Sequence, residues 1–300
     1  MSDSDYNVAR ARDDLEAGGL VALPTETVYG LAALITRGDA LRRIFAVKGR
    51  PVDHPLIVHV ADIEHARVLS RNWTPAAERL ATRFWPGPLT LIVERSADVD
   101  PVVSGGLGTV AIRCPAHELS LQLLRSLSAP VAAPSANRFG RVSPTCAQHV
   151  VDDLGSDVDF VLDGGTCEVG LESTIVDCTV DPVQILRPGA ITEEEVRSVL
   201  NATAPASGPS RASGMLESHY APRCRVVAVA DRDEARRLSM RPDSRLIDAT
   251  QDPESAARTL YADLRRCDAD GVAVAVVLLP PATGIGLALR DRVLKAAAGR

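Results

Sequence analysis

The chain reads as an α/β protein in two parts. Residues 1–200 predict a twisted, mixed open sheet covered by helices. Residues 224–300 predict a smaller three-layer α/β unit, and 201–223 a linker between the two. Three observations lead there. Short apolar runs of strand length are interleaved with amphipathic helical stretches, irregularly before position 200 and as three β-α units in about 76 residues after it. Residues 201–213 are small, polar and rich in Pro and Gly, the composition of a linker. The 300 residues, 46% of them hydrophobic, are enough for two cores.

Each element follows from local chemistry. The 8–17 stretch is an amphipathic helix stopped by Gly18-Gly19. Leu20-Val21-Ala22-Leu23 is a short buried strand closed by Pro24. In the next string, Pro24-Thr25-Glu26-Thr27-Val28-Tyr29-Gly30-Leu31, the hydroxyls either cap a helix or stand at a strand end where sites are built. Asp39 is expected to cap a helix running to Val47, with Leu41, Ile44 and Phe45 on one face. Further strands are expected at 56–60, 89–94, 109–113, 130–133, 158–162, 173–178 and 183–187. Helical patterns occupy 62–70, 75–84, 117–127, 145–154 and 192–200. Ser143 with Pro144, or Thr145 with Gln148, should start the 145–154 helix. Beyond the linker, strands at 225–230, 245–248 and 272–279 alternate with helices at 233–239, 253–267 and 286–298, a small parallel sheet. No G-x-G-x-x-G follows its first strand, so nothing marks a dinucleotide site.

Charge and composition exclude several classes. Residues 1–200 carry 18 Lys and Arg against 27 Asp and Glu, whereas residues 201–300 carry 15 against 12. An acidic first unit is a poor partner for a phosphate backbone, so a cationic site there must be a local pocket for a small anion. Aromatics at 3% leave few rings for stacking on bases. The six cysteines show no C-x-x-C spacing and read as buried thiols of a reducing compartment. No apolar run is long enough to span a bilayer and the acidic N-terminus precedes no signal-like core, so a cytoplasmic protein is expected. Zinc spacing, a G-x-S-x-G elbow and a Walker A string are all missing, and no metal ligands can be assigned.

The residues left with chemistry to do are few. Lys48-Gly49-Arg50 offers two cations around a glycine. Lys48 closes a helix, where a cation also complements the macrodipole, whereas Arg50 lies beyond the stop and is better placed to clamp phosphate. Ser135-Ala136-Asn137 adds a hydroxyl and an amide. Strand parity puts His59 with Ile57, Arg113 with Thr109 and Ala111, and Ser173 with Ile175, each set on one sheet face. Arg187 ends another apolar strand. His219-Tyr220 lies at the end of the linker, either as packing or as part of a site.

Taken in order, these strings resemble the threonylcarbamoyl-AMP synthases, the YrdC-like family, in its longer two-domain form. The resemblance rests on 24–31, 48–51 with Pro55-Leu56, Trp85-Pro86-Gly87-Pro88-Leu89-Thr90, 110–115, 134–137, 170–176, 186–189, and Gly214-Met215 with 219–222. It implies a YrdC-like catalytic domain, a linker that acts as a lid, and a Rossmann-like C-terminal domain. It implies an enzyme making threonylcarbamoyl-adenylate from L-threonine, bicarbonate and ATP, the first step of N6-threonylcarbamoyladenosine formation in tRNA. By resemblance, Lys48, Arg50, Ser135 and Asn137 form the catalytic seam, and Thr27, His59, Arg113, Ser135 and Ser173 hold threonine. Arg50, His54, Thr109, Ala133, Ser143, Arg187, His219 and Tyr220 hold ATP, with magnesium on its phosphates. The product would pass to a tRNA threonylcarbamoyltransferase.

Two departures from the family pattern stand out. Ser213 replaces the usual proline before Gly214, and Glu217 replaces a usual tyrosine, so the lid is expected to hinge more freely. The second domain is short, which implies trimmed loops. Two other functions compete: a carbamoyl-phosphate-using enzyme, which lacks its usual accessory segments here, and a module for double-stranded RNA, against which the acidic first unit argues.

Overall fold

The computed structural model describes residues 3–207, Gly214 and 219–298. In chain order the first unit runs α1 (Asp3–Glu16), β1 (Val21–Leu23), β2 (Gly30–Leu34), α2 (Gly38–Lys48), β3 (Ile57–His59), α3 (Ile63–Arg67), β4 (Ser70–Asn72), α4 (Pro75–Phe84), β5 (Leu89–Arg95) and β6 (Thr109–Arg113). It continues with α5 (Glu118–Ser126), β7 (Val131–Ala132), α6 (Ala147–Leu154), β8 (Phe160–Val161), β9 (Thr174–Asp177), β10 (Gln184–Arg187) and α7 (Glu193–Leu200). The second unit is β11 (Arg225–Val229), α8 (Arg232–Ser239), β12 (Ser244–Asp248), α9 (Pro253–Ala269), β13 (Val274–Leu278) and α10 (Ile285–Ala297).

The large sheet has the order β10-β9-β5-β6-β3-β7-β2-β1-β8, with β4 against one end of β5. β3 and β6, β5 and β9, and β1 and β8 pair parallel; the other pairs are antiparallel. It is a mixed sheet, as expected. Strand parity divides its residues as read: Leu56, Val58, Val110 and Ile112 enter the main core, and Ile57, Ala111 and Ile175 form a separate apolar patch on the opposite face. Register places His59 opposite Arg113. The small sheet, β11-β13-β12, is wholly parallel.

Four local expectations need correction. β2 was not foreseen, because Gly-Leu-Ala-Ala-Leu is buried on both faces and shows no alternation. The 62–70 pattern breaks into α3 and the edge strand β4, which pairs with β5. Asp39 lies inside the first turn of α2, whose N-cap is Arg37. Neither Ser143 nor Thr145 caps α6, which begins after Cys146 with no side-chain cap. The six cysteines are free, and five are buried. No helix among the described residues is long and apolar enough to cross a membrane.

Candidate active site

Three backbone devices assemble the site. Gly49, at φ +65°, ends α2 in the left-handed conformation, which lets the Arg50 N–H reach back to the Phe45 carbonyl at 3.0 Å. This turn sends Lys48 and Arg50 into the same hollow. The 24–31 string is a hydroxyl-stabilised turn and not a helix start. Thr25 Oγ1 donates to the Val28 carbonyl at 2.7 Å and accepts from the Thr27 and Val28 N–H groups. The 134–136 segment then runs beside it: Leu31 N–H donates to the Pro134 carbonyl at 2.7 Å, Ala136 N–H to the Tyr29 carbonyl at 2.8 Å, and Gly30 bridges to Ser135.

The two strings are clasped directly. Lys48 Nζ donates to the carbonyls of Ser135 at 2.5 Å and Asn137 at 2.6 Å, and Phe139 N–H donates to the Lys48 carbonyl at 2.7 Å. Burial, with Arg50 alongside, holds the Lys48 ammonium pKa well below the usual lysine value. Arg50 Nη2 donates to the Pro55 carbonyl at 2.9 Å, and its guanidinium lies 5.7 Å over the Phe139 ring. Burial lowers its pKa to about 10.

Across the hollow, Arg113 is fixed on three sides. It donates to Thr27 Oγ1 at 2.7 Å and to the Gly87 carbonyl at 3.3 Å, and it pairs with Glu26 Oε2 at 2.8 Å. His59 is buried beside it, with Nδ1 3.2 Å from the Ile57 carbonyl. Its pKa falls to about 3, chiefly through burial and next through Arg113, so its imidazole is neutral in ordinary buffers. Ser173 Oγ meets Thr90 Oγ1 at 2.7 Å and accepts from Arg187 Nη2 at 3.0 Å.

The groups that converge here line one cavity. Thr27, Lys48, Arg50, His59, Arg113, Ala133, Ser135, Asn137, Ser173, Arg187, His219 and Tyr220 all lie on it. His54, Thr109 and Ser143 do not. His54 stands one residue further out, its ring edge-on to Phe139 at 5.4 Å. Thr109 sits at the far end of β6 opposite Glu94. Ser143 is fully buried and donates to Glu172 Oε1 at 2.6 Å, so it bears on the cavity through Glu172.

Tyr220 closes the hollow from the linker side. It is 1% exposed, adopts φ +63°, and its hydroxyl has no hydrogen-bond partner among the described residues. Of the linker departures, Ser213 and Glu217 lie outside the described residues. Sequence reasoning gave no role to Glu26, Phe139 and Glu172, nor to Tyr261 and Arg292 behind them, although Asp291-Arg292 with 284–287 resembles the C-terminal end of the family. Glu26 and Glu172 sat inside strings that had been picked out for their hydroxyls.

Residues 13–189 match the family model described as telomere recombination, which covers the Sua5, YciO and YrdC proteins. Residues 191–298 match the model described as threonylcarbamoyl-AMP synthase, C-terminal domain. The chain belongs to the threonylcarbamoyl-AMP synthase family. The threonylcarbamoyl-AMP synthase of Pyrococcus abyssi is 39% identical over 99% of this chain and 95% of its own length, and that of Bacillus subtilis 38% over 100% and 95%. The solved structure of P. abyssi Sua5 complexed with L-threonine superposes with a TM-score of 0.94 at 38% identity, over 99% of this chain and 95% of that one. Escherichia coli YciO, at 22% identity and a TM-score of 0.54, shares the fold with 63% of the chain.

Among the described residues no group of three His, Cys, Asp or Glu could hold a metal. Among the described residues Glu172 is the one carboxylate on the cavity wall, and Ser143, Tyr261 and Arg292 occupy its oxygens.

Proposed function

We propose that this chain makes L-threonylcarbamoyladenylate from L-threonine, bicarbonate and ATP, with release of pyrophosphate. One observation carries the proposal. A carboxylate-binding corner (Arg113, Thr27, His59) and a cationic ridge (Lys48, Arg50, Arg187) open into the same cavity, with Ser135 and Asn137 between them. The names of the full-length relatives support the same reaction.

The chemistry needs no protein nucleophile. Threonine's amine adds to the bicarbonate carbon and water leaves, giving a carbamate. A carbamate oxygen attacks the α-phosphorus, and the bond to the bridging oxygen breaks with its electron pair passing to pyrophosphate. The protein aligns the reactants and stabilises charge. Arg113, held by Thr27, Gly87 and Glu26, presents a preset guanidinium to the threonine carboxylate. Neutral His59 beside it offers a hydrogen bond without adding a competing cation. Lys48 and Arg50 receive the phosphates, and an anion there offsets the desolvation that depresses the Lys48 pKa. Tyr220, with its unused hydroxyl, and His219 cover the nucleotide. Magnesium enters as the ion carried by the ATP phosphates. The product passes to a tRNA threonylcarbamoyltransferase.

Pyrophosphate release from ATP is the direct assay. It should require both L-threonine and bicarbonate, and Arg113→Ala and Arg50→Ala should each abolish it in folded protein. Robust release with bicarbonate alone would overturn the reaction. Full activity in both variants would overturn the site.

A further inference from the structure

Arg292, on α10 in the second unit, is 0% exposed and lies outside every string that marks the cavity. Its guanidinium nevertheless touches three separate cavity-lining segments. Nε donates to Glu172 Oε2 at 2.8 Å, in the loop before β9. Nη2 donates to the Pro188 carbonyl at 3.0 Å, one residue after Arg187. Its plane lies 5.3 Å over the Tyr220 ring. Asp291 at 2.6 Å completes its shell.

One turn further along α10, Lys295 holds the linker itself. Its ammonium donates to the Gly214 carbonyl at 2.6 Å, and its own carbonyl accepts from the His219 N–H at 3.3 Å. From α9, Tyr261 donates to Glu172 Oε2 at 2.8 Å and stacks on Tyr220 at 5.8 Å. The two helices therefore hold the ring that closes the cavity and the loop that forms its wall. A buried cation with an anion on either side, hydrogen-bonded at each nitrogen, has one geometry and transmits it to what it touches.

We propose, on the reaction assigned above, that α10 is a latch on the nucleotide side of the cavity, with Arg292 as the positioning residue that sets Tyr220 against ATP. The second unit then contributes to catalysis by fixing this wall. Of the residues assigned to threonine, Arg113, Thr27 and His59 share no hydrogen bond or ion pair with Arg292, and Ser173, the residue after Glu172, is the one that adjoins the latch, so the loss on breaking it should fall mainly on ATP.

The test is a KM and Kd comparison on the full chain. Arg292→Met should raise the KM for ATP tenfold or more and leave the KM for L-threonine within twofold. Arg292→Lys, which keeps the pair with Glu172 but cannot also span Pro188 and Tyr220, should fall between Arg292→Met and the wild type. ATP binding by calorimetry should weaken in parallel, a readout independent of turnover. If Arg292→Met fails to fold, Lys295→Met at the partly exposed end of the latch should raise the ATP KM three- to fivefold. An ATP KM and Kd within twofold of wild type in a folded variant would overturn the latch, as would equal losses for ATP and threonine. A wild type that binds ATP but shows no threonine-dependent pyrophosphate release would instead remove the assigned reaction, and the calorimetric comparison would still judge the latch.

Discussion

At the scale of single residues, Arg113 already meets an anion of the protein's own before any substrate arrives. Arg113 is 4% exposed and Glu26 5%, and their 2.8 Å pair takes both charges out of water together. Breaking such a pair from one side strands the other charge and costs about 3–5 kcal/mol, whereas removing both charges costs much less. Glu26→Gln should therefore lower unfolding stability by about 3 kcal/mol in urea titrations. Glu26→Gln combined with Arg113→Met should recover most of that loss while turnover stays abolished. A single variant within about 0.5 kcal/mol of wild type would show that the pair carries little weight. Glu26 was hidden in the sequence by its neighbours. Between two threonines in a turn string, nothing in spacing indicates that the carboxylate faces a guanidinium 87 residues away.

At the scale of elements, hydroxyl residues that look alike in sequence do different work. Thr192 is a true cap: its Oγ1 accepts from the Glu195 N–H at 3.2 Å, and Glu195 Oε2 accepts from the Thr192 N–H at 2.8 Å, a complete capping box on α7. Thr25, Thr27 and Ser143 sit in comparable strings but spend their hydroxyls on a turn, on Arg113 and on Glu172. Thr192→Ala should cost about 1 kcal/mol and leave the KM for ATP and threonine unchanged. A thermal melt with steady-state kinetics checks both halves, and a KM shift would mean that α7 touches the site. Gly170 shows the same dependence on context. It adopts φ +74°, and an added Cβ would lie 2.6 Å from the backbone of Arg258 on α9, so the loop carrying Glu172 docks there backbone to backbone.

At the scale of the whole molecule, the two units share a core. One apolar cluster unites Val28, Val142, Leu171 and Tyr220 with Leu260, Tyr261 and Leu264 of α9 and Leu289 and Val293 of α10. Buried titratable groups give this assembly a pH signature. Burial pushes the pKa of His59 and His219 to about 3 and that of His149 to about 4, all below the usual histidine value. The folded chain keeps them neutral while the unfolded chain protonates them. Stability is therefore fully present above about pH 6.5 and drains away as pH falls toward 4 and 3. Glu172, held at about 2 by Arg292 and Arg187 against the opposing effect of burial, loses its contribution lower still, between its ordinary value and 2. Melting temperature should fall steadily on acidification below pH 6.5. His149 lies outside the cavity, and its Nδ1 accepts from the Thr145 N–H at 3.2 Å. His149→Asn should flatten the upper part of that fall, and a slope identical to wild type would exclude His149 as a source of it.

The chain by itself determined the class of fold, most elements and the faces of the central strands. These follow from periodicity and from residue chemistry, which act over a few neighbouring positions. Leu56, Val58 and Val60 against Ile57 and His59 needed no structure to separate. Only the tertiary structure decided which cations have partners and what closes the cavity. Glu26 with Arg113, and Glu172 with Arg292, are joined across 87 and 120 residues, and burial is what makes those contacts strong. A buried charge owes its position, its pKa and its role to what surrounds it, and those surroundings come from distant parts of the chain.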